Sequence, residues 1–164
     1  MDRKEEFFKI LQELEENPDV QKLQEFSQHN GNTTFQHCHN VAVCSFYLAE
    51  KWNWDVDLET LATGAMLHDY YLYGTEQASL NPYRHGITHP QTALENAREC
   101  FDLNPKMENI IRSHMWPLSL SKLPHSKEAI LVNISDKFCA FHEMSRGIRH
   151  IEEILGKKKL QGYY

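Results

Sequence analysis

Apolar residues recur along this chain at helical spacing, with Pro, Asn and Gly interrupting them. Phe7, Ile10, Leu11 and Leu14 share one face of a helix predicted from Arg3 to about Glu16, where Asn17-Pro18 stops it. Val20, Leu23 and Phe26 mark a short second helix, and residues 28–34 read as a loop. A long helix is expected from about Phe35 to Trp52, and Asp55 to Asp57 opens another that ends in His68-Asp69. Residues 70–88 read as a long connection rich in Tyr, Asn, Pro, Arg and His, and a loop of that length usually covers or carries a site. Pro90 suits the first turn of a helix reaching about Phe101. Asn104-Pro105 restarts a helix that must end before Pro117, because Trp116 is pushed out of the α region. Ser126 caps a helix to about His142, and a last helix, Ser145 to Leu155, stops at Gly156 ahead of a solvated tail. Neither an alternating run nor an Asn-Gly turn between β-branched segments suggests strands. The pattern predicts an all-α fold: one domain over 1–164, with a core over about 35–142, N-terminal helices over 1–27, and a C-terminal helix and tail over 145–164.

Metal-capable side chains occupy several positions on these apolar stripes. Counting back from Asp69 by helical steps gives Ala65, Ala62 and Leu58, so its carboxylate lies on the face that should meet the core. His68 stands roughly one-quarter turn away. His37 shares a stripe with Val41, Cys44 and Leu48, whereas His39 points away from that face. His89 aligns with Ala93 and Ala97, His114 lies over Met107, Ile110 and Ile111, and Asp136 lies over Ala129 and Val132.

Taken singly, each has a plain reading: a core histidine bonded to backbone, a carboxylate acting as a cap or ion-pair member, a helix end where Asp points into water. Taken together, four imidazoles and two carboxylates converging from five helices are satisfied jointly by cations at the centre of a helical bundle. The count suits two ions bridged by a carboxylate, with Asp69 the natural bridge. A nitrogen and oxygen set without sulfur suits Fe, Mn or Zn, and also Co or Ni.

Composition narrows the class. A length of 164 residues favours one core. No apolar run approaches a bilayer span, and the N-terminus, Met1-Asp2-Arg3-Lys4-Glu5-Glu6, lacks the apolar segment of a signal peptide, so a cytoplasmic protein without membrane contact is expected. Cys38, Cys44, Cys100 and Cys139 form no CxxC pair and read as reduced thiols. A net charge of −6 argues against long nucleic acids, which need a basic face, but not against a small phosphorylated ligand held through metal ions. Ten histidines are many for this length, and metal ligation is the usual reason for a surplus. A homodimer is an open expectation.

The order His37, His68-Asp69, Asp136 resembles the HD-domain family of metal-dependent phosphohydrolases. His37-Cys38-His39-Asn40-Val41-Ala42 looks like that family's opening helix, Ala65-Met66-Leu67-His68-Asp69 like its His-Asp core, and Ile134-Ser135-Asp136-Lys137-Phe138-Cys139-Ala140 like its closing helix. His89-Pro90-Gln91-Thr92-Ala93 and Ile110-Ile111-Arg112-Ser113-His114 resemble segments of its binuclear members. Met115 follows His114 where some members carry a second His, and no Gly-Tyr-Pro signature is present. Both departures argue against a third ion and against the cyclic-dinucleotide phosphodiesterase branch.

The resemblance implies an HD-type bundle around a central metal site. His37, His68, Asp69 and Asp136 would hold one ion, and Asp69 would bridge to a second held by His89 and His114. Water or hydroxide between them would attack phosphorus, with Asp69 orienting it. Arg84, His85, Arg112, Lys122 and Lys137 are candidate clamps on the substrate, with a solvent-exposed role equally open for each. His85 is favoured, as a catalytic or supporting group, because it precedes His89. Trp116 would stack a base or simply fill the core. The expected partner is a small phosphorylated molecule or nucleotide. Two other functions share this ligand set: di-iron oxygenation, and a metal-bound module that binds nucleotide without turnover.

Overall fold

The structure, a computed structural model, describes residues 2–28, 31–73, 81–147 and 150–155. The described residues form α1 (Arg3–Glu15), α2 (Pro18–Gln21), a 3-10 turn (Lys22–Glu25), α3 (Thr34–Lys51), α4 (Leu58–Leu67), α5 (Pro82–Cys100), α6 (Pro105–Ser113), α7 (Lys127–Arg146) and α8 (Glu152–Leu155). The all-α class expected from the periodicity holds. Among the described residues, no helix is long and apolar enough to cross a membrane.

Beyond exposed Glu59 the helix α4 is buried on every side, and residues 60–71 are all buried. Such a helix is stable only inside a shell of others. It packs against α1, α3, α5, α6 and α7, so the segment carrying His68 and Asp69 emerges at the centre of the bundle. Asp57 caps α4 by accepting from Thr60 N at 2.6 Å, and Asp57 N in turn donates to buried Glu128 on α7 at 3.0 Å. At the other end, Asn96 of α5 donates to the carbonyls of Tyr70 and Tyr71, both at 3.1 Å. The chain leaving Asp69 is therefore pinned.

One glycine sets how closely α4 meets α6. A Cβ on Gly64 would stand 2.4 Å from Ile110 Cδ1, 3.0 Å from its Cγ2 and 3.1 Å from its Cβ. Gly64→Ala is expected to destabilise the protein by about 1–3 kcal/mol through overpacking. Urea denaturation should show this, and Gly64→Ala with Ile110→Val, which removes the Cδ1 clash, should recover part of the loss.

Two sequence expectations need correction. The helix expected from Pro90 begins at Pro82, so residues 82–88 are not part of a loop. The reason is local: Asn81 accepts from Arg84 N at 2.9 Å, and Pro82 occupies the first turn. Asn-Pro opens α2 and α6 in the same way, with Asn17 and Asn104 as caps. Pro90 sits inside the helix, where it forfeits one backbone hydrogen bond, while His89 Nδ1 donates to the His85 carbonyl at 2.9 Å. The second correction concerns the C-terminal helix. Instead of a new helix at Ser145, α7 continues to Arg146 and is closed by Gly147, whose φ of 62° is the left-handed conformation glycine adopts freely. The helix α8 starts only at Glu152, and the expected stop at Gly156 and the tail lie outside the described residues.

His39, which the pattern turned away from the core stripe, has a structural task. It bonds Glu15 at the end of α1 and, at 3.4 Å, Glu152 of α8. Burial opposes its charge, but the two carboxylates carry its pKa up to about 9, so it ties both chain ends to α3 as a cation.

Candidate metal centre

Helix termini aim two of the four imidazoles. His68 and His114 each follow the last residue of a helix, at φ −59° and −61°. The final turn of a helix leaves carbonyls without partners, and both rings use one: His68 Nδ1 donates to Ala65 O at 2.6 Å and His114 Nδ1 to Ile111 O at 2.7 Å. His89 Nδ1 is taken by the His85 carbonyl, and His37 Nδ1 by the buried carboxylate of Glu143 at 2.8 Å. Carbonyls and ionised carboxylates only accept, so all four rings carry their proton on Nδ1 and turn Nε2 toward the centre.

There the Nε2 atoms meet carboxylates in two clusters, His37, His68, Asp136 and Asp69, His89, His114, every member buried. His37 Nε2 lies 3.1 Å from Asp136 Oδ1, and His68 Nε2 3.7 Å from the same oxygen. Asp69 faces both clusters. Its Oδ2 is 3.8 Å from His37 Nε2 and 3.7 Å from His68 Nε2, while its Oδ1 is 3.2 Å from His89 Nε2 and 3.3 Å from His114 Nε2.

The donor chemistry fits cations. His89 Nε2 and His114 Nε2 approach to 2.7 Å. With both protons on Nδ1, two lone pairs face each other there, an arrangement relieved by a shared positive charge. Burial and His89 push the pKa of His114 down, which disfavours a proton as that charge. Among the described residues, no hydrogen-bond partner reaches the buried His68 Nε2 or Asp69 Oδ1. Imidazole nitrogens, two carboxylates and orphaned buried acceptors suit divalent ions. Burial pushes the carboxyl pKa of Asp136 up, yet the His37 and His68 rings beside it outweigh burial and hold it below the usual carboxylate range.

A cavity of about 310 Å³ opens over this centre. Asp69, Asp136, His89 and His114 face it from below, Gln28, His85 and Lys137 line its polar side, and Met115, Leu118 and Met144 its apolar side. His85 stacks on His89 at 4.6 Å between ring centroids and bonds the Tyr73 hydroxyl at 2.9 Å. Lys137 Nζ donates to the carbonyls of His114 at 2.8 Å and Asn133 at 3.2 Å.

The six expected ligands thus come together, and His85 and Lys137 line the adjoining cavity. Arg84, Arg112 and Trp116 are not among the residues lining it. Because residues 82–88 are helical, Arg84 is turned about 100° from His85 and is exposed. Arg112 stands two residues before His114, about 200° around α6, and pairs with Glu108 at 3.9 Å. Trp116 follows the end of α6, half-buried, and its carbonyl accepts from Asn133 at 2.7 Å.

The sequence reading missed two supporting groups. Glu143 holds His37 and accepts from Asn40 at 2.8 Å. It lies seven residues beyond Asp136, two turns along one stripe of α7, so carrying that stripe past His142 would have found it. Gln28 donates to Asp69 Oδ2 at 2.7 Å from a loop that has no periodicity to read.

The model of the HD-domain family matches residues 34–140 of this chain. No curated protein and no solved structure matches it significantly.

Proposed function

The chain belongs to the HD-domain family, and from that membership we propose that it is a metal-dependent phosphohydrolase acting on a small phosphorylated molecule or nucleotide. HD domains are in general metal-dependent phosphohydrolases. The observation that carries the reading is the sharing of Asp69 between two buried ligand clusters. Two divalent ions from among Fe, Mn, Zn, Co and Ni would be held there, one by His37, His68, Asp136 and Asp69, the other by Asp69, His89 and His114. When bound, such ions screen phosphate charge and lower the pKa of water.

The remaining work falls to the chain's own side chains. Burial raises the pKa of Asp69, but His68, His114 and His89 hold it well below the usual carboxylate range, so it accepts a hydrogen bond from the attacking water and fixes its direction. Burial keeps the Tyr73 phenol protonated, and in the His85 tautomer with its proton on Nε2 the phenol donates to Nδ1. Burial and His89 also push the pKa of His85 down, leaving a neutral ring whose Nε2–H is the available donor for a phosphoryl oxygen. The Lys137 ammonium has three donors, of which two carbonyls take two, and the third serves the substrate. A cavity of about 310 Å³ suits a phosphoryl group with a compact leaving group.

Elemental analysis of the purified protein, followed by a screen of phosphomonoesters and phosphodiesters with Mn, Fe, Co and Ni, tests the reading. Metal-dependent hydrolysis is the expected result. Uptake of O₂ with the EPR signal of a mixed-valent iron pair, without hydrolysis, would replace it with oxygenase chemistry. His85→Ala should lower turnover about ten- to hundredfold, the worth of one hydrogen bond to a charged group, with bound metal unchanged. Loss of metal in that variant would instead make His85 a ligand.

A further inference from the structure

Among the described residues, Gln28 bonds the shared carboxylate through a side-chain amide. Its Nε2 donates to Asp69 Oδ2 at 2.7 Å. Its Oε1 accepts from Tyr71 Oη at 2.6 Å and from Thr34 Oγ1 at 3.1 Å. The Tyr71 hydroxyl fixes the amide's orientation, and Thr34, whose one proton also has Phe26 O at 3.3 Å, lies on the same oxygen, so the amide N–H points at Asp69. The backbone around it is equally constrained. Gln28 N donates to Asn32 O at 2.7 Å, Thr34 N donates to Phe26 O at 2.8 Å, and residues 27 and 33 form an antiparallel bridge. This turn leads into α3, whose cap is Thr33 and which carries His37. Tyr71 is buried and lies edge-on to His89, at 5.5 Å between ring centroids. One chain of contacts therefore runs from the start of α3 through Gln28 to Asp69 and back to the second cluster.

We infer that Gln28, oriented by Tyr71 and Thr34, is the positioning residue that keeps Asp69 bridging, and that binding of the ion at His89 and His114 depends on it. The inference rests on the two-ion reading above. A carboxylate free to rotate can turn both oxygens to the first cluster, which already has three ligands of its own. The second cluster has two imidazoles besides Asp69, and two neutral donors are too few to hold an ion. The amide bond to Oδ2 opposes that rotation and leaves Oδ1 facing His89 and His114.

The test reads metal rather than turnover. Wild type, Gln28→Leu and Tyr71→Phe are freed of metal and titrated with Co(II), followed by calorimetry and by visible absorption. Leucine keeps the bulk of Gln28 without its amide, and phenylalanine keeps the ring contacts of Tyr71 without its hydroxyl. The expected result is two equivalents in wild type, with the second weakened about 10- to 100-fold in Gln28→Leu and less in Tyr71→Phe, and the first unchanged in both. Wild-type affinity for both equivalents in Gln28→Leu would overturn the role of Gln28 and leave the phosphohydrolase reading intact. A wild type that saturates at one equivalent would overturn the inference and the two-ion reading together. If Gln28→Leu fails to fold, Tyr71→Phe decides alone: an unweakened second equivalent overturns the inference.

Discussion

Asp69→Ala is expected to lose bound metal and hydrolytic activity together. Each oxygen of this carboxylate faces a different pair of imidazoles, so one substitution takes a donor from both clusters. The loss of metal affinity should exceed the about 10- to 100-fold that follows from disturbing a group one sphere further out. Thermal unfolding makes this visible without a substrate. An ion at a free concentration 100 times its Kd stabilises the folded state by about 2.7 kcal/mol. For a chain of this size that raises Tm by about 5–10 °C. Wild type should show this rise on adding metal and Asp69→Ala should not. His39→Ala is the internal comparison. It breaks the link between Glu15 and Glu152 and should lower the starting Tm, yet it should keep the full rise with metal, because His39 lies outside both clusters. Identical metal responses in the two variants would disprove the assignment of the centre.

The two clusters are legible in the sequence because a helix converts spacing into direction. A polar side chain on a stripe of Ala, Val and Leu must face inward, and inward groups on several helices must meet. His37, His89, His114 and Asp136 could be read this way, and α4, mostly apolar, placed His68 and Asp69 in the middle. What the pattern could not yield lies where that conversion fails. Gln28 sits in a turn, where spacing says nothing about direction. Arg84 and Arg112 are long cations whose bearing depends on helix phase, and for Arg84 that phase is fixed by a cap at Asn81 inside a stretch without helical periodicity. The boundary at Pro82 was missed for a related reason. A proline inside a helix is costly enough that Pro90 read as a beginning, while the stronger cue, an Asn cap followed by Pro, stood eight residues earlier and recurs at two other helices.

The two clusters differ in how firmly they are built, and that difference yields the second large effect. Around the first, His37 is locked by Glu143, Glu143 by Asn40, and Asn40 Oδ1 accepts from Ile151 N at 3.2 Å. Asp136 supplies this cluster with a carboxylate of its own. Among the described residues, the second cluster has no carboxylate except the shared one, and its imidazoles donate to carbonyls of their own helices. His114→Ala leaves it with His89 and Asp69 Oδ1, so the variant is expected to bind one ion where wild type binds two. The phosphate charge that a second ion would screen is worth several kcal/mol in the transition state. The loss in kcat should therefore exceed about a hundredfold, at 1.36 kcal/mol for each factor of ten. Asp136→Ala should behave differently, because it removes the only unshared negative charge of the first cluster and so weakens the tighter of the two ions. Calorimetric metal titration separates the cases: His114→Ala should keep the high-affinity equivalent and lose the weak one, and Asp136→Ala should lose the high-affinity equivalent. One equivalent retained by His114→Ala, with kcat unchanged, would mean that hydrolysis proceeds at the first cluster alone, and two equivalents retained would mean that His114 holds no ion.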